Sequence, residues 1–185
     1  MILAKDSAMN KLRTVSIVIP LYNEEAYIQT VIVRVVKADT LGMKKEIIIV
    51  NDASTDKSLQ KLKEMAKKYK ILVINKKTNE GKGSAIKEGI DKTTGDIVII
   101  QDADLEYNPK DYPKLLQPFA DYEADVVYGS RLVTTAPHRV MYYWHYVVNV
   151  MLTNLSNMLT NLNLTDMETG YKVFRGELIR NLAKN

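Results

Sequence analysis

An α/β domain with a mainly parallel central sheet is the fold this 185-residue chain predicts. Three observations carry the prediction. Short uninterrupted runs of β-branched residues recur along the chain, as in strands buried on both faces of a parallel sheet. Each run is followed by apolar residues at helical spacing, and strand-helix alternation is the signature of α/β architecture. Carboxylates then fall just beyond the runs, where ligands of open α/β sheets bind.

The first strand is expected over Val15 to Ile19, closed by Pro20, which has no N–H for a ladder. Asn23 is placed to cap the next helix, with Glu24 and Glu25 in its first turn and Ile28, Val31, Ile32 and Val35 as its apolar stripe. Ile47 to Val50 form the second strand, and the polar turn Asn51 to Asp56 leads into a helix with Leu59, Leu62, Met65, Ala66 and Tyr69 inward. A third strand, Ile71 to Ile74, passes through Asn79-Glu80-Gly81-Lys82-Gly83-Ser84 into a short helix around Ala85, Ile86 and Ile90. Ile97 to Ile100 form the fourth strand and end on Gln101-Asp102-Ala103-Asp104-Leu105-Glu106. Pro109 opens a helix carrying Tyr112, Leu115, Leu116 and Phe119; Val126 to Tyr128 and Val173-Phe174 are further strands. If the sheet is doubly wound, Glu24, Asp52, Asp102 and Asp104 meet on one rim.

Composition narrows the function. With 46% hydrophobic and 26% charged residues the chain is an ordinary globular one, a single domain over 14–185 with an N-terminal extension over 1–13. No cysteine is present, which removes disulfides, thiolate metal sites and cysteine nucleophiles and fits a reducing, cytoplasmic setting. No run of about 20 apolar residues exists to span a bilayer. The stretch from Val140 to Thr165 carries no formal charge, but Asn149, Asn154, Asn157 and Asn161 interrupt it. The net charge of +4 is spread over scattered lysines, and the aromatic cluster Tyr142 to Tyr146 lacks interleaved basic residues, so nucleic acid is not an expected partner.

Several motif readings fail. A P-loop needs glycine five positions before Gly81, where the chain has Lys76. A dinucleotide fingerprint would need glycine at Ile86. There is no Gly-x-Ser-x-Gly elbow, and the two histidines, His138 and His145, are expected to be packing or interface residues rather than metal ligands or general bases. The acidic hexad after the fourth strand is the best candidate for chemistry. Crowded carboxylates call for a cation, and Mg²⁺ binds through one or two of them plus substrate phosphates. Arg131 and Arg139 lie on a loop that could clamp a further phosphate.

Taken together, Ile17-Val18-Ile19-Pro20-Leu21-Tyr22-Asn23-Glu24-Glu25, Val50-Asn51-Asp52-Ala53-Ser54-Thr55-Asp56, Asn79-Glu80-Gly81-Lys82-Gly83, Asp102-Ala103-Asp104, Gly129-Ser130-Arg131 and Asp166 to Lys172 resemble, in order, the motifs of family 2 glycosyltransferases of the GT-A fold. The likeness is strongest to polyprenyl-phosphate hexosyltransferases, those acting on dolichyl or undecaprenyl phosphate. It implies a Rossmann-like three-layer domain and inverting transfer of a hexose from a nucleotide-diphosphate sugar to a lipid phosphate. By the same resemblance Pro20, Tyr22, Glu24, Asp52, Lys82 and Asp102 bind the nucleotide, and Asp104 and Glu106 hold Mg²⁺ or Mn²⁺. Lys172 then contacts the diphosphate, and Arg131 and Arg139 contact the acceptor phosphate.

Glu106 departs from the family pattern, which often has Gln there. A phosphate acceptor needs no strong base, whereas a saccharide hydroxyl would, and Asp166 is then the candidate. That acceptor, or a nucleotide-sugar-binding module without catalysis, is the alternative reading. Such domains commonly continue past the Lys172 region. The uncharged stretch is therefore expected either to lie on lipid at the cytoplasmic face of a membrane or to pack on further chain or a second copy in a homo-oligomer.

Overall fold

The structure, a computed structural model, describes residues 12–132 and 142–184. Its elements run β1 (Thr14–Leu21), α1 (Ile28–Lys37), β2 (Lys44–Asn51), α2 (Ser58–Lys68), β3 (Ile71–Asn75), α3 (Lys82–Ile90) and β4 (Ile97–Ile100), then α4 (Tyr112–Asp121), β5 (Val126–Tyr128), α5 (Tyr143–Thr160), β6 (Lys172–Arg175) and α6 (Gly176–Ala183).

The strands form one sheet in the order β3-β2-β1-β4-β6-β5. β3, β2, β1 and β4 are mutually parallel, whereas β6 runs antiparallel to both β4 and β5. Period-two alternation divides the strand residues between two helical layers. Val15, Ile17, Ile19, Ile47, Ile49, Ile97 and Ile99 pack with residues of α1, α2 and α4, while Val18, Val98 and Ile100 pack with Ile90 of α3 and Ile179 of α6. The isoleucines on both faces are almost wholly buried, and each such side chain contributes about 1.5–3 kcal/mol. α3 lies so close to β1 that a Cβ on Gly89 would overlap Val18.

Two local expectations fail. Pro20 does not end β1; it pairs in register with Val50, and the strand continues through Leu21. Val18 O accepts from Gln101 N on the β4 side, and Pro20, two residues on, turns its missing N–H the same way. β4 has ended there, so no ladder bond is lost. Asn23 is not a helix cap, and Glu24 and Glu25 precede the helix, because α1 begins at Ile28 after Tyr27. Asn23 is instead left-handed, with φ 53°. Its Oδ1 accepts from Thr55 N at 2.8 Å and its N–H donates to Ser54 Oγ at 3.0 Å, tying the loop after β1 to the loop after β2.

α5 inverts the usual pattern. Its fully buried residues are Asn149 and Thr153, while Tyr143, Trp144, Met151, Leu155, Met158 and Leu159 are exposed. No described helix is long and apolar enough to cross a membrane.

Candidate active site

Chain order reverses between β1 and β4, because β1 passes to β2 on one side while β4 lies on the other. A crevice at such a point is where open α/β sheets bind ligands. A cleft of about 400 Å³ opens there, lined by Pro20, Tyr22, Glu24, Asp52, Gly81, Lys82, Asp102 and Asp104, among others. All six nucleotide-binding candidates from the sequence therefore share one cavity with the metal candidate Asp104.

Asp52, 2% exposed, anchors the glycine loop. Its carboxylate accepts from Glu80 N at 3.1 Å and Gly81 N at 2.8 Å and pairs with Lys76 Nζ at 2.7 Å. Burial alone would raise its pKa, but Lys76 and the two amides outweigh burial and hold it below the ordinary Asp value. Gly81 has φ +89°, which side-chain-bearing residues rarely adopt, and this turn starts α3 with its first amides at the cleft. Lys76, not singled out from sequence, is itself buried and also donates to Ser84 Oγ at 2.8 Å.

The acidic residues converge as expected. Glu24 is pushed above its ordinary value by burial and then by the charges of Asp104, Asp56 and Asp102. Lys82 Nζ stands 2.6 Å from Asp102 Oδ1, yet that oxygen, buried, has no hydrogen-bond donor, so the contact is an ion pair without hydrogen-bond alignment. Among the described residues no three carboxylates or histidines gather closely enough to bind a metal unaided. A crowded acidic rim suits a hard cation whose remaining ligands come from phosphate and water. Asp104 and Glu106 would supply the protein oxygens; Asp104 Oδ1 already accepts from Glu106 N at 2.9 Å, which fixes the turn between them.

Behind Asp102 is a hub that sequence reading missed. Gln101 is fully buried, its Oε1 accepts from Tyr112 Oη at 2.9 Å and Tyr171 Oη at 3.1 Å, and its Nε2 donates to Asp102 O at 3.0 Å. Tyr107 Oη accepts from Gly170 N at 2.6 Å. Gly170 presses so closely that a Cβ would stand 2.5 Å from Asp102 Oδ2. The loop before β6 thus packs directly on the acidic turn.

Because β6 is antiparallel, its first residue, Lys172, pairs with Ile100 at the end of β4. Lys172 reaches the same rim, its ammonium 5.4 Å from the Tyr128 ring centroid. Arg131 follows β5 and is gripped by Asp166: Nε donates to Oδ2 at 2.9 Å, Nη2 to Oδ1 at 3.0 Å, and the Arg131 backbone N–H to Oδ2 at 3.0 Å. Asp166 is 1% exposed. Burial would raise it, but the Arg131 bonds, aided by Asn149, hold it below the ordinary Asp value. Arg139 lies outside the described residues.

The family model "Glycosyl transferase family 2" matches residues 16–182. The dolichol-phosphate mannosyltransferase of Pyrococcus furiosus is 34% identical over 119 residues, 64% of this chain and 33% of that one. The undecaprenyl-phosphate 4-deoxy-4-formamido-L-arabinose transferase of Edwardsiella ictaluri is 29% identical over 177 residues, 94% of this chain and 53% of that one. The chain thus spans between a third and about half of these curated relatives. Glucosyl-3-phosphoglycerate synthase of Mycobacterium tuberculosis, solved with Mn²⁺, uridine diphosphate and phosphoglyceric acid, superposes with a TM-score of 0.68 at 24% identity, over 94% of this chain and 59% of that one. The fold is GT-A, and the chain belongs to glycosyltransferase family 2.

Proposed function

We propose that the chain is the catalytic domain of an inverting glycosyltransferase that moves a hexose from a nucleotide-diphosphate sugar to a polyprenyl phosphate. The observation that carries this reading is one rim with two opposed chemistries. Carboxylates suited to a metal-diphosphate lie beyond β1, β2 and β4, and Lys172 and Arg131 lie beside them on the β6–β5 side. The names of the two curated relatives, both transferases acting on polyprenol phosphates, support the acceptor class.

In this reading the loop pinned by Asp52 and Lys76 frames the nucleoside, together with Pro20, Tyr22, Glu24 and Asp102. Asp104 and Glu106 hold Mg²⁺ or Mn²⁺, which supplies charge neutralisation for the diphosphate when bound; the solved Mycobacterium homologue carries Mn²⁺. Lys172 adds a fixed positive charge where the leaving diphosphate develops negative charge, the kind of preorganised stabilisation that most lowers a barrier. Arg131 orients the acceptor, with Arg139 as its companion. A phosphate monoester has a second pKa of about 6, so at neutral pH it attacks without a base. That suits Asp166, buried and held ionised by Arg131, as a positioning group rather than a proton acceptor.

The exposed apolar side of α5 gives the chain a surface for the membrane that carries such an acceptor, on its cytoplasmic face. Nucleotide sugars tested in turn with Mn²⁺ or Mg²⁺ should raise the melting temperature of the chain, because a native-state binder stabilises by mass action. Absence of any metal-dependent rise across uridine and guanosine donors would overturn the donor reading. Under a saccharide-hydroxyl acceptor, Asp166→Asn abolishes turnover. Under the present reading it weakens acceptor affinity, and turnover persists at saturating acceptor.

A further inference from the structure

The buried side of α5 is polar, and its bonds run in one direction. Met167 N donates to Thr153 Oγ1 at 3.2 Å, and Thr153 Oγ1 lies 3.3 Å from Asn149 Oδ1. A backbone N–H can only donate, so the hydroxyl accepts from Met167 and gives its one proton to Asn149 Oδ1. That fixes the Asn149 amide with its NH₂ toward Asp166, where Nδ2 donates to Oδ1 at 3.1 Å. Asp166 in turn receives both Arg131 side-chain bonds and the Arg131 amide. Asn149, Thr153 and Asp166 are each 5% exposed or less, so water offers little substitute for a lost partner. One helical turn further on, Asn157 closes the segment by donating to Leu164 O at 2.8 Å and accepting from Leu164 N at 2.9 Å.

We propose that Asn149 and Thr153 are positioning residues for acceptor recognition: the relay Thr153–Asn149–Asp166 sets the plane of the Arg131 guanidinium and so the affinity for a phosphate monoester. The proposal rests on the reading of Arg131 as the acceptor-phosphate residue. It adds that α5, the helix with the exposed apolar side, is wired to that arginine. The donor side of the cleft is held by Asp52, Lys76 and Gln101, none of which touches the relay through the bonds described above.

The test is calorimetric titration of the purified chain with farnesyl phosphate below its micelle concentration, and separately with uridine and guanosine diphosphates plus Mn²⁺. Losing a hydrogen bond to a charged group costs about 1.5–3 kcal/mol and losing a neutral one about 0.5–1.5, so Asn149→Ala should weaken farnesyl phosphate about tenfold or more and Thr153→Val about two- to tenfold. Nucleotide affinity should stay as in the unaltered chain, and Thr153→Ser, which keeps the hydroxyl, should restore lipid-phosphate binding. If Asn149→Ala does not fold, the Thr153 pair decides. Wild-type farnesyl-phosphate affinity in Thr153→Val, with loss in Arg131→Ala, overturns the relay and leaves the acceptor reading standing. Unchanged affinity in Arg131→Ala, or no binding by the unaltered chain, overturns both. Joint loss of nucleotide and lipid-phosphate binding in Thr153→Val overturns the relay in favour of general destabilisation.

Discussion

The two sides of the cleft are held by different means. On the proposed donor side, short loops follow four parallel strands, and the backbone does much of the holding: Asp52 accepts from two loop amides, and Asp104 from the amide of Glu106. On the proposed acceptor side two antiparallel strands and α5 are joined by side chains far apart in sequence, with Arg131 reaching Asp166 and Asp166 reaching Asn149. A backbone-held site tolerates loss of one side chain in folding but loses its ligand. A side-chain-held site couples folding to recognition.

Asp166→Ala should therefore have the largest effect on stability, about 3–5 kcal/mol, because it strands a partly buried guanidinium. Urea denaturation checks this. The sign with pH follows from the depressed Asp166 pKa: its contribution is present above the ordinary Asp range and lost as pH falls through the folded value. On the proposed donor side Asp104→Ala should leave the urea midpoint near that of the unaltered chain while removing the metal-dependent part of nucleotide affinity by calorimetry, a loss larger than the roughly 10- to 100-fold that an outer-shell partner of a metal ligand costs. A large stability loss there would erase the contrast.

Gly170→Ala probes the seam between the two sides. The new methyl would stand 2.5 Å from both Asp102 Oδ2 and the Tyr107 ring, and overpacking of this kind costs about 1–3 kcal/mol. Donor affinity should fall with it, since Asp102 is displaced. The smallest effect belongs to Glu24→Gln. Burial and neighbouring carboxylates raise the Glu24 pKa, so the wild-type residue is favoured while protonated at low pH, and that advantage is lost as pH rises through its folded value. Replacing it should stabilise the chain by a few tenths of a kcal/mol at neutral pH, as expected for exposed charge interactions, with no gain in acid. Melting temperatures at two pH values measure the difference.

The same contrast governs what the sequence makes legible. Glu24, Asp52, Asp102 and Asp104 each sit within a few residues of the end of a run such as Ile97 to Ile100, so strand prediction alone brings them to one rim. Gln101, Lys76, Asn149 and Thr153 escape because their meaning lies in partners. Gln101 reads as the polar end of a strand until Tyr171, 70 residues on, is seen to donate to it. Asn149 reads as an interruption of an apolar helix until Asp166 is found against it. Pro20 and Asn23 depart from expectation for the same reason: strand length beside Pro20 and the cross-loop bond of Asn23 are set by neighbouring segments, not by local propensity.

In the proposed reaction one rim joins a nucleotide-sugar donor to a lipid phosphate. The direct measurement is sugar transfer by the purified chain to farnesyl phosphate, with the donor nucleotide that stabilises it and Mn²⁺, resolving the product and its anomeric configuration by NMR. The unaltered chain should form a hexosyl phosphate with inverted configuration, and Arg131→Ala should lose it. Transfer to saccharide hydroxyls alone, or retained configuration in the lipid product, would contradict the proposed reaction.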